Sequence, residues 1–180
     1  MSDQSVTQDI QILFELTCNE QLQSLDGNSV QLDITGKEPV ISNPYTACIQ
    51  AASNDLTLTL LLHAPKSVLI GTLPRMAEIK PLGNSLLEDW TLELSNRIIG
   101  KLKNKLISYG CILKNGLPRF IEPIASQNFK HNGEEMALFF DINGETIECR
   151  LFVEIFNKAM SLALQEHELD NTEESELDFF

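Results

Sequence analysis

Basic residues are scarce in this sequence. Its 180 residues hold 13 Lys and Arg against 26 Asp and Glu, for a formal net charge of −13. A chain this acidic repels phosphate backbones and anionic bilayers, so neither nucleic acid nor membrane is expected as a partner. Long apolar runs are missing too: none approaches the ~18 residues of a membrane span. The opening MSDQSVTQDI has neither the basic region nor the apolar core of a signal peptide, so a cytoplasmic location is expected. Cysteine is sparse and isolated. Cys18, Cys48, Cys111 and Cys149 form no CxxC pair, and His63, His131 and His167 are scattered, so no metal site is expected. The thiols read as small buried apolar groups. What remains is an ordinary globular composition, 43% hydrophobic, long enough to bury one core without staples.

Apolar periodicity divides the chain into two similar halves. Ser5 and Gln8 read as a capping box, and Ile10, Leu13, Phe14, Leu22 and Leu25 mark one face of a helix ending at Asp26-Gly27. Three strand-like runs follow: Val30, Leu32 and Ile34; Tyr45 to Ala51; and Leu56, Leu58, Leu60 and Leu62 alternating with their neighbours. A short helix is expected between Pro65 and Pro74. After Pro81-Leu82-Gly83 the order restarts. Ser85 and Glu88 read as a second capping box, and Gly110 as a second helix stop. A strand is expected over 111–120, broken at Asn115-Gly116 and Pro118. Met136–Ile142 and Glu145–Ile155 form a hairpin around Asn143-Gly144, and a short helix is expected over 157–165. The expectation is an α+β domain over 1–165, with pseudo-repeats at about 5–80 and 84–165 and two long helices packed on a shared sheet.

The segment from Leu86 to Gly110 carries the most information. On a wheel of about 100° per residue, Glu93, Asn96, Gly100 and Lys103 all fall within about 40° of Asp89. Trp90, Leu94, Ile98 and Leu102 occupy the far side, which must face the core. The polar stripe therefore points outward. An Asn amide holds water by donating and accepting hydrogen bonds, and orienting an attacking water is a known role for an amide in phosphoryl transfer. Glu offers a charge pair to an incoming cation, and Gly100 lets another backbone come close. The plain alternative is a solvated helix face. E-x-x-N also occurs at Glu154–Asn157, so the bare pattern is weak.

Asp89, Glu93 and Asn96 at these spacings, followed by Pro118, resemble the CheC/CheX/FliY phosphatase family of bacterial chemotaxis. The phrase LELSNRIIGKLKNKL, with Gly100 four after the Asn, is also similar to that family, while the interval from Asn96 to Pro118 is one residue short. The resemblance implies a CheC-like internally duplicated fold and hydrolysis of the phosphoaspartate on a CheY-like response regulator. Asn96 would position the in-line water and Glu93 would pair with the regulator's Lys. Asp89, Gly100 and Lys103 would meet the partner, and Pro118 would fix the following strand. No cofactor of the chain's own is implied: the Mg²⁺ belongs to the regulator's active site. In the first helix, Glu15 is followed by Cys18 and Glu20 by Gln23 where Asn is expected, which leaves a single active stripe as in CheX-like members. The resemblance implies a homodimer for such members.

Two further readings stand beside this one. The chain could be a non-catalytic module that binds a receiver domain or a flagellar switch component. It could also be a small-molecule enzyme using Asp89 and Glu93 as paired carboxylates, although no His joins them. The segment 166–180 holds seven acidic residues and no Lys or Arg, and reads as a solvated tail. Its Leu177-Asp178-Phe179-Phe180 end instead suits docking, into a partner's groove or back onto the domain.

Overall fold

Residues 6–25, 29–74, 83–122 and 131–162 are described by the computed structural model. Their order is α1 (Val6–Leu25), β1 (Val30–Leu32), β2 (Tyr45–Ala52), β3 (Leu56–Ala64), α2 (Lys66–Thr72), α3 (Asn84–Ile107), β4 (Lys114–Asn115), β5 (Arg119–Ile121), β6 (Glu134–Ile142) and β7 (Glu145–Ile155). The strands make one seven-stranded antiparallel sheet, ordered β1-β6-β7-β3-β2, with β4 and β5 both paired to the outer edge of β2.

That order interlocks the two halves of the chain. β3 and β7 lie side by side at the centre, with Leu60 opposite Leu151. β1 pairs with β6 of the second half, whereas β4 and β5 pair with β2 of the first. Each half thus lends its first strand to the other.

The period-two pattern sorts the sheet's two faces. Leu56, Leu58, Leu60 and Leu62 of β3 join Ile147, Cys149, Leu151 and Val153 of β7 against the helices. From α1 come Ile10, Phe14, Cys18 and Leu22; from α3 come Leu87, Trp90, Leu94, Ile98, Ile99, Leu102 and Leu106. The opposite face is more polar, with a small apolar patch of Cys48, Leu61 and Phe152 beside Thr46, Thr59, His63 and Glu148. Arg150 anchors the chain segment after β1 to this face through ion pairs to Glu38, Glu135 and Glu148. All four cysteines are buried and unpaired.

Two local signals act as the sequence suggests, while the Asp26-Gly27 stop expected after α1 lies outside the described residues. Gly110 takes a φ of +76°, and the Cys111 N–H returns to the Leu106 carbonyl at 3.1 Å, closing α3. Asn143 and Gly144 both have positive φ, the geometry of the tightest hairpin turn.

Several details differ from the sequence reading. The N-cap of α3 is Gly83, with no side-chain cap, so Ser85 lies inside the first turn and the second capping box does not form. Tyr45 Oη instead donates to Asn84 Oδ1 at 3.1 Å, tying the helix start to β2. The first capping box involves Ser5, which lies outside the described residues. The strand expected over 111–120 is two short strands. Three residues, Gly116 to Pro118, stand opposite Ile49 and Gln50 of β2, which makes a bulge on an edge strand. Proline lacks an N–H and is tolerated there, so Pro118 fits a structural role. No helix follows Asn157 among the described residues. The Asn157 Oδ1 accepts the Ala159 N–H, and its carbonyl accepts that of Met160, which gives a turn. The ends of both pseudo-repeats and the acidic tail lie outside the described residues.

Candidate functional site

Burial settles the orientation of α3. Trp90, Leu94, Ile98 and Leu102 are at most 5% exposed, whereas Asp89, Glu93 and Asn96 are exposed on the opposite face. Gly100 and Lys103 continue the same stripe, each half-buried. A Cβ placed on Gly100 would meet nothing within 4 Å, so the fold itself does not require glycine there. Glycine inside a helix costs about 1 kcal/mol relative to alanine. The notch it leaves beside Asn96 is open to an approaching surface.

The Asn96 side chain makes no hydrogen bond to any described residue, so both its donor and its acceptor are free for water or a partner. Glu93 is partly engaged. Its Oε1 accepts from Arg97 Nε at 2.7 Å, and both side chains are more than 40% exposed. The Arg97 guanidinium lies 5.1 Å from the centre of the Trp90 ring. Trp90 is itself fixed, its Nε1 donating to Thr72 Oγ1 at 3.1 Å. Thr72 in turn donates to the Val68 carbonyl within α2. The sequence reading passed over Arg97, although Glu four residues before Arg is a readable helix pair.

Asp89, Glu93 and Asn96 are exposed side chains on a convex helix face. Cavities of about 410 and 270 Å³ lie elsewhere, around Tyr45, Lys66 and Phe120, and around Cys48, Gln50 and Arg119. The stripe holds no Ser, Thr, Cys or His. Among the described residues no group of three His, Cys, Asp or Glu side chains is placed to hold a metal. An open helix face of this kind cannot desolvate a small substrate, so the arrangement does not support the paired-carboxylate reading of Asp89 and Glu93. It can place an amide and a carboxylate into a site that a partner completes.

α1 carries no equivalent stripe. Its buried residues Ile10, Phe14, Thr17, Cys18, Gln21 and Leu22 match Leu87, Thr91, Leu94, Ser95, Ile98 and Ile99 when the two burial patterns are slid into phase. Ile12, Leu16 and Asn19 then fall on Asp89, Glu93 and Asn96. This corrects the sequence comparison, which set Cys18 against Asn96. Cys18 is fully buried beneath α1 and belongs to the core. Asn19 is also not free: its Nδ2 donates to the Glu15 carbonyl at 3.0 Å and to Gln31 Oε1 at 2.6 Å. Gln31 closes the network by donating to Glu15 Oε1.

The strongest electrostatic perturbations lie on the other face of the sheet. Burial, and then the charge of Arg150, lowers the His63 pKa to about 4, and His63 Nδ1 shares a 2.9 Å hydrogen bond with Thr46 Oγ1. Burial raises the pKa of Glu148 despite its pairing with Arg150. These groups tie a chain segment to the sheet and stand apart from the stripe.

An antiparallel sheet with two long helices on one face gives this chain a CheC/CheX-like fold. Among solved structures, the chain is similar to the chemotaxis protein CheX of Vibrio vulnificus, with a TM-score of 0.65 and 13% identity over 81% of this chain and 99% of that one. It is similar to a CheC-like superfamily protein of Shewanella sp. PV-4, with a TM-score of 0.63 and 16% identity over 84% and 99%. A CheX–CheY–BeF₃–Mg²⁺ complex of Borrelia burgdorferi matches at a TM-score of 0.64 and 13% identity over 81% and 97%. No family model and no curated protein matches the sequence. No described helix is long and apolar enough to cross a membrane.

Proposed function

We propose that this chain is a CheX-like phosphatase that hydrolyses the phosphoaspartate of a CheY-like response regulator. The observation that carries the reading is the pairing of an unengaged Asn96 with Glu93 on the outward face of α3, beside the open notch at Gly100. Asn96 holds a water in line with the phosphorus–oxygen bond to the aspartyl carboxylate. The water attacks phosphorus, the carboxylate leaves, and inorganic phosphate is released with the water's proton lost to solvent. The regulator contributes the phosphoryl group, its Mg²⁺ and a lysine that Glu93 engages. Asp89 and Lys103 flank the contact. No covalent intermediate forms on this chain: the water held by Asn96 is the nucleophile, and the stripe holds no Ser, Thr, Cys or His to take its place. The fold shared with a CheX solved together with CheY supports this choice of partner class.

The test pairs phosphate release with binding. Candidate phosphorylated regulators are incubated with and without the protein, and binding is measured separately to the beryllofluoride form of each regulator. Faster phosphate release by the wild type, lost in Asn96→Ala while binding persists, is the expected result. Binding without acceleration would make the protein an adaptor. Absence of binding to every regulator would overturn the choice of partner.

A further inference from the structure

We infer that Arg97 is a positioning residue for the partner-facing carboxylate of Glu93. The inference rests on the proposed phosphatase reading. A glutamate on an exposed helix samples many rotamers, and ordering it on docking costs affinity. Here that ordering is built in. Trp90 is 5% exposed and hydrogen-bonded to Thr72, so its ring is a fixed platform. The Arg97 guanidinium lies over that platform at 5.1 Å, and its Nε–H holds Glu93 Oε1 at 2.7 Å. The chain of contacts runs from the core to the stripe: α2, Trp90, Arg97, Glu93.

The geometry also leaves Glu93 usable. The bond from Arg97 is single, through Nε and Oε1, so Oε2 remains available for a cation brought by the partner. A carboxylate accepts several donors at once, and bridging between two cations is within its capacity. Arg97 therefore orders the acceptor without occupying it. Lysine cannot do the same. It lacks the planar group that stacks on an indole and the directional Nε–H that sets the carboxylate's angle.

The role predicts a particular kinetic signature. Arg97→Ala should weaken capture of the phosphorylated regulator by roughly fivefold, the size of one exposed ion pair plus one exposed cation–π contact. It should appear as a raised KM with kcat nearly unchanged, because the chemical step belongs to Asn96. Arg97→Lys should recover only part of the loss. In a Glu93→Gln background, Arg97→Ala should change KM little further, since the group it orders has lost its charge.

The experiment measures kcat and KM for wild type, Arg97→Ala, Arg97→Lys, Glu93→Gln and the Arg97→Ala/Glu93→Gln double variant, with thermal melting of each as a check on folding. Full additivity of the two substitutions, or a fall in kcat with unchanged KM, would overturn the positioning role. Complete rescue by Arg97→Lys would also overturn it, by showing that charge alone suffices. Should a variant unfold, Trp90→Phe supplies the second probe. It keeps an aromatic core but alters the platform, and should reproduce a raised KM. An unchanged KM in that variant counts against the inference. Inactivity of the wild type towards every regulator would instead refute the phosphatase reading, so the two failures are distinguishable.

Discussion

The outward faces of α1 and α3 differ although the two helices bury the same pattern of residues. In phase, α1 offers Ile12, Leu16 and Asn19 where α3 offers Asp89, Glu93 and Asn96. The two asparagines make the comparison informative. Asn19 spends its amide on Glu15 and Gln31, while Asn96 has no partner among the described residues. Residue identity at a position therefore does not make a site. An amide that already has its hydrogen bonds cannot orient water without breaking them. The glutamate differs as sharply: Glu93 is ordered by Arg97, whereas Leu16 is an apolar side chain left 49% exposed.

The largest expected effect breaks the symmetry directly. Asn96→Ala should lower the dephosphorylation rate on the order of a hundredfold or more, the scale of one lost transition-state contact. Binding to the beryllofluoride form of the regulator should be nearly unchanged.

A second effect of similar energetic size separates stability from the stripe. His63 is held neutral with its pKa near 4, below an unfolded value of 6.5. The unfolded chain therefore binds more protons between these values, so stability is complete above pH 6.5 and falls as pH drops towards 4. The upper bound is about 3 kcal/mol, reduced because the raised pKa of Glu148 works in the opposite direction. Denaturant unfolding across this range should show the loss in wild type and a shallower slope in His63→Gln. The side chains facing His63 on this sheet surface, Thr46, Glu148 and Arg150, stay in place. Asn96→Ala should leave the slope as in wild type.

Next in size is Glu93→Ala, which should weaken capture of the regulator by about tenfold, the cost of one charge pair at a partly desolvated contact. Added salt should weaken the wild-type complex more than the variant complex. A binding titration at two ionic strengths checks both.

Gly100→Ala should move two properties in opposite directions. The fold gains up to about 1 kcal/mol from helix propensity, since the new methyl meets nothing within 4 Å. Regulator binding should weaken, because the methyl fills the notch beside Asn96. Melting and binding measured on one preparation test the pair, and a variant that is both more stable and equally active would remove Gly100 from the interface.

The smallest effect is expected on the other helix. Asn19→Ala and Leu16→Ala should leave phosphate release near wild type, with Asn19→Ala costing only the network to Gln31. A loss of rate comparable to that of Asn96→Ala would erase the distinction between the two faces.

Much of this was legible in residue order, and the reason is periodicity. The placing of Trp90, Leu94, Ile98 and Leu102 opposite Asp89, Glu93 and Asn96 follows from 3.6 residues per turn and needs no tertiary contact. The hairpin at Asn143-Gly144 and the stop at Gly110 follow from backbone sterics, which are equally local. The alternation in β3 likewise sorted its side chains between two faces before any partner strand was known.

The tertiary structure decided what depends on neighbours distant in sequence. Which asparagine is free could not be read from the helices, because Gln31 reaches Asn19 from a strand that pairs with β6. That Cys18 faces the core rather than the stripe follows from how α1 packs, since its buried arc is broad and its sequence pattern allows more than one phase. The exchange of edge strands between halves is a matter of pairing register, which local propensity does not encode. The Arg97 platform depends on Trp90 of α3 meeting Thr72 of α2, a contact between two helices that neither helix's own pattern specifies. Periodicity along one helix specifies which way a side chain points, but only the packed fold specifies what, if anything, it meets there.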